Sequence, residues 1–70
     1  MSNPTWNQIQ GNWKQFKGAI QEHWGELTND EIEETNGERE QLAGKIQERY
    51  GVAQAEANRQ IDEWANNIKF

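Results

Sequence analysis

The chain has no cysteine, one proline, one histidine and no long apolar run. Without cysteine there can be no disulfide, no thiolate metal ligand and no thiol nucleophile. The one proline, Pro4, precedes the first helical pattern and interrupts nothing. No apolar stretch is long enough to span a bilayer. The opening Met-Ser-Asn-Pro-Thr has neither the charged region nor the apolar region of a secretory signal. A surplus of basic residues is also missing: seven Lys and Arg against twelve Asp and Glu give a net charge of −5. That balance disfavours a nonspecific grip on phosphates or anionic lipid, so neither nucleic acid nor membrane is expected as a partner. With no signal-like start and no spanning run, a cytoplasmic location is expected.

Seventy residues make one domain at most, with a core that is only marginally sufficient by itself. Four tryptophans supply the packing that disulfides cannot. The apolar residues also carry a period. Trp6, Ile9, Trp13, Phe16, Ile20, Trp24 and Leu27 recur at spacings of three and four, which predicts one helix from about Thr5 to Trp24 closed by a left-handed Gly25. Thr28 with Glu31 forms a capping box that opens a short second helix bearing Ile32 and ending near Asn36 and Gly37. A third helix runs from about Glu38 to Tyr50 with Leu42, Ile46 and Tyr50 inward, and Gly51 behind it. The fourth begins near Ala53 and presents Ala53, Ala57, Ile61, Trp64 and Ile68. No segment alternates as a strand does. The expected fold is all-α: a small compact bundle of four helices, one of them short, packed orthogonally, in a single domain over 1–70 whose residues 1–4 are flexible.

Two stretches of the chain echo each other. Gly11 to Gly25 aligns without a gap on Gly37 to Gly51, 26 residues later, with seven identities in fifteen positions; ordinary usage would give about one. Placed around a helix, six of the seven fall off the apolar stripe, and only Ile20/Ile46 falls on it. Gly18 and Gly44 therefore call for a reason, because a glycine inside a helix costs about 1 kcal/mol relative to alanine. The simpler reasons are close approach of another helix in the same domain, or inheritance from a duplicated segment. The sharper one is a contact face of Gln15, Gly18, Gln21 and Glu22, repeated as Gln41, Gly44, Gln47 and Glu48.

Catalytic chemistry finds little support. His23 stands near a helix end with only Glu22 and Glu26 close in sequence, too few ligands for a metal site. Carboxylate pairs such as Glu22 and Glu26 lack the pocket that would tune them for acid–base work. Ser2 has no evident base. Half of the acidic residues lie between Asp30 and Glu40, a run that reads first as a solvated face and second as a dock for a basic partner. No catalytic residue, metal ligand or cofactor site is expected.

The segments NWKQFKG at 12–18, WGELT at 24–28, REQLAGKIQERYG at 39–51 and DEW at 62–64 together resemble the CsbD-like family of small bacterial stress-response proteins. The resemblance implies a compact helical domain, an abundant cytoplasmic protein induced in general stress, and no established biochemical activity. It brings no catalytic or cofactor residues. The chain departs from the usual pattern at Ala19 and Glu26, where lysine is common, and at Glu34-Thr35-Asn36, where a more apolar turn is usual. A non-enzymatic protein acting through an unidentified protein partner or self-association is the leading expectation. The alternative is an abundant hydrophilic protectant in osmotic or desiccation stress, suggested by the mean hydropathy of −1.21.

Overall fold

A computed structural model describes residues 6–68, and the expectation for residues 1–4 lies outside them. All the described secondary structure is helical: α1 Trp6–Gly11, α2 Trp13–His23, α3 Asn29–Glu34, α4 Arg39–Tyr50 and α5 Gln54–Asn67. The all-α bundle is thus as the sequence indicates, with the first of the four expected helices divided in two. The division falls at Asn12, whose φ of −116° and ψ of 34° leave the helical basin. Its side-chain amide donates to Gln8 O at 2.9 Å, and Gly11 beside it has the weakest helix propensity short of proline. The bend lets α1 turn inward. Ile9 is then fully buried, the Trp6 indole N–H reaches Gly37 O at 2.8 Å, and the Trp13 indole N–H reaches Ile32 O.

The core is assembled from the inward face of every helix: Ile9, Phe16, Ile20, Trp24, Leu27, Ile32, Leu42, Ala43, Ile46, Ala57, Ile61 and Trp64. Trp64 is its hub. Phe16 meets that ring edge-on at 6.2 Å between centroids, and Trp24 lies 5.8 Å away. α2 packs along α3, and α4 along α5. Because α2 begins at residue 13 and α4 at residue 39, the echo of 26 residues is a repeat of helices in matching register.

The capping box forms as the sequence indicates. Thr28 Oγ1 accepts the Glu31 N–H, and Glu31 accepts the Thr28 N–H, both at 3.1 Å. Other details differ. Gly25 has no positive φ; α2 instead closes through Trp24, whose N–H bonds Ile20 O at 2.8 Å. Gly51, its counterpart, is left-handed at φ 66°. Tyr50 is 38% exposed rather than inward, because its hydroxyl turns out to accept the Glu26 N–H at 3.0 Å. Ala53 is exposed, since it is the extended residue that precedes α5.

Candidate functional site

The repeated face is on the surface. Gln15, Gly18 and Glu22 on α2 are exposed, as are Gln41, Gly44 and Glu48 on α4, and Gln21 and Gln47 are half-buried at matching positions. Six of the seven identities thus keep the same degree of exposure in both copies, Gly11/Gly37 being the exception. A Cβ added at Gly18 or at Gly44 would meet nothing within 4 Å. That overturns close helix approach as the reason for these glycines: among the described residues no neighbouring helix comes within 4 Å of that position.

The two copies differ in relief. On α4, Gln41, Gly44 and Glu48 line one groove of about 400 Å³ together with Glu38, Glu40 and Lys45. On α2 the corresponding residues are separated. Gln15 borders a hollow of about 380 Å³ at the α1–α2 bend, and Glu22 borders one of about 280 Å³ beside His23 and Trp64. None of these three hollows joins residues of the two faces. The α4 groove is acidic, because its one lysine, Lys45, is turned toward Glu34 at 3.4 Å.

The acidic run between Asp30 and Glu40 serves the fold more than the sequence suggests. Glu33 pairs with Lys17 of α2, Glu34 with Lys45 of α4 and Glu31 with Arg49 of α4, so cations from two longer helices clasp the short α3. The Arg49 guanidinium, followed by the Thr28 N–H, holds the Glu31 carboxyl below its ordinary range. On α5, Arg59 and then Gln60 draw Glu56 down from 4.5 to about 2. Both carboxyls bind protons less readily in the folded chain than in the unfolded one. Between their ordinary and folded values the unfolded chain therefore holds more protons, and falling pH favours unfolding. The urea midpoint should be level near neutral pH and decline from about pH 5 toward about pH 2. A Glu31→Gln variant should decline less steeply over the same range, and an identical slope would show that the clasp contributes nothing.

His23 is exposed and sits edge-on to Trp24 at 4.4 Å between centroids. Among the described residues no group of three or more His, Cys, Asp or Glu is placed to hold a metal ion. No described helix is long and apolar enough to cross a membrane. What the geometry defines is a small all-helical protein in which a helix and its outward surface are repeated.

The CsbD-like family matches residues 7–59, and the chain belongs to that family. Membership suggests a general stress-response protein, in a family that is generally non-enzymatic. Among curated proteins, none matches the chain. Of the departures from the family pattern, Glu34 pairs with Lys45, and Thr35 has an account in its own turn. It is buried, and its hydroxyl donates to Ile32 O at 2.6 Å, so the polar turn is satisfied from within.

Proposed function

We propose that this is a non-enzymatic bacterial stress-response protein that acts in the cytoplasm through contacts made by the outer faces of α2 and α4. The contact is with a protein partner or a second copy, and involves Gln15, Gly18, Gln21 and Glu22 with Gln41, Gly44, Gln47 and Glu48. One observation supports the reading above others: Gly18 and Gly44 stand mid-helix with open space where a Cβ would go. Alanine would fit and would favour each helix by about 1 kcal/mol, so nothing within the fold offsets the glycine. A bare stretch of helix does allow another backbone to approach closely.

Gly18→Ala and Gly44→Ala should each raise the stability measured by urea denaturation by up to about 1 kcal/mol, and the pair should add, being on separate helices. The contact reading further expects the doubly substituted protein to lose a partner that the unsubstituted chain captures from stressed cells. Equal capture by both proteins would sink it.

The protectant reading keeps one observation in its favour, the low mean hydropathy. Circular dichroism separates the two. A chain that is helical in dilute buffer supports the contact reading, and one that is coil until dried supports the protectant.

A further inference from the structure

The apolar stripe from Trp6 to Trp24 is continuous in sequence, yet two helices carry it in space. At the junction the helical ladder is interrupted. The Asn12 N–H is shared between Gln8 O at 3.2 Å and Ile9 O at 3.1 Å, and the Gln15 N–H bonds Asn12 O at 2.9 Å instead of continuing to Gly11 O. Nothing in the stripe requires this, since straightening the chain at Asn12 would set Trp6, Ile9, Trp13, Phe16 and Ile20 on one side of a single helix over 6–23, about 27 Å long.

The bend brings α1 to a defined seat. Ile9 enters the core with no exposed surface, Trp6 donates to Gly37 O, the Arg39 guanidinium lies 5.9 Å from the Trp6 ring centre, and Gln10 packs against Gly37 so closely that a Cβ there would fall 2.8 Å from its Cγ. The contacts with Gly37 and Arg39 join α1 to the turn before α4 and to the start of α4. None of them depends on the covalent path through Asn12.

We infer that the α1 seat also accepts α1 from a second copy of this chain. With Asn12 straightened, α1 and α2 become one helix, and two copies exchange their first helices to form a reciprocal two-fold dimer. Every seat contact is retained, and each copy regains a continuous helical ladder across 11–15. Exchange of an identical element about a short hinge is a low-cost route to a dimer. The hinge residues Gly11 and Asn12 are both exposed, and a Cβ at Gly11 would meet nothing within 4 Å, so straightening displaces no core side chain at the hinge itself. Gly18 and Gly44 play no part in the exchange. Its failure would leave the proposed contact face standing, and the reverse also holds.

The test is to favour the straight helix. In a Gly11→Ala/Asn12→Ala protein two weak helix formers become strong ones at positions that are helix interior only in the exchanged form, so dimer affinity by analytical ultracentrifugation should rise ~10-fold or more. Helical ellipticity per residue should rise with the dimer fraction. Gly11→Ala alone should shift affinity in the same direction by less, which covers the event that the double substitution folds poorly.

Exchange is then distinguished from surface contact by mixing. In the doubly substituted background, Ile9→Asp spoils the inserted helix and Gly37→Ala spoils the seat. Each alone should dimerise weakly, while an equimolar mixture refolded together should recover dimer through one intact helix in one intact seat. Substituted proteins that stay monomeric with full helical content, or a mixture no better than its components, would overturn the inference.

Discussion

Trp24→Ala should cost about 3–5 kcal/mol, the largest loss expected from any single truncation in this chain. A domain of this size has about 4–10 kcal/mol in all, so the variant should be substantially unfolded at temperatures the parent tolerates. The ring is almost fully buried, 2% exposed, and lies against Trp64, which in turn meets Phe16. Removing it opens a cavity where α2 and α5 join, and the surrounding side chains belong to different helices that would have to move together to fill it. A polar chain is cut as well. The Trp24 indole N–H donates to Gln60 Oε1 at 3.0 Å, and Gln60 Nε2 donates to Glu56, which Arg59 also holds. Trp24→Phe is the informative companion, because it keeps a six-membered aromatic ring while losing the donor and the five-membered part of the indole; it should cost about 1–3 kcal/mol. Urea denaturation followed by far-ultraviolet circular dichroism measures both. A loss under about 1 kcal/mol for the alanine variant would show that the aromatic hub is not what closes the bundle.

Periodicity found the core because burial in a helix leaves a trace in sequence. Ile9, Phe16, Ile20, Leu42, Ile46, Ala57, Ile61 and Trp64 stand at helical spacing and are buried. The Thr28 capping box is equally local, and it too was legible. The bend at Asn12 was not, since the stripe keeps its phase on both sides and the partners that reward turning α1 inward, Gly37 and Arg39 among them, are distant in sequence. Tyr50 was misplaced for a related reason. It aligns with the buried Trp24, but it is the last residue of α4 and its hydroxyl finds the Glu26 N–H at the surface. The glycine face is an intermediate case. Sequence could set Gly18 and Gly44 opposite the core, but whether another helix came near them was a tertiary fact. The acidic run likewise gave no sign that Glu31, Glu33 and Glu34 each meet a cation from α2 or α4, since the pairs span long gaps in the chain.

Gly37→Ala should cost about 2–4 kcal/mol, although the residue it echoes, Gly11, should tolerate alanine without a clash. The two positions align in sequence and differ in every physical respect. Gly11 ends α1 in the open, with nothing within 4 Å of an added Cβ. Gly37 is buried and left-handed at φ 78°, directly after Asn36 at φ 54°. A side chain there meets two costs. Left-handed backbone disfavours any residue with a Cβ by about 1–2 kcal/mol. The added methyl would also sit 2.8 Å from Gln10 Cγ, so that side chain must leave its present rotamer, while Gln10 Cα and Cβ at 3.4 Å are already at contact distance. Losing the Gln10 packing loosens α1 against the turn, which weakens the Trp6 bond to Gly37 O and its approach to the Arg39 guanidinium. The expected signature is a melting temperature lower by on the order of 10–20 °C. Faster exchange of the Trp6 indole proton should accompany it, with the indole proton of Trp24 much less affected. Equal acceleration at both indoles would mean general loosening of the bundle, and would count against α1 being held by the single turn at Gly37.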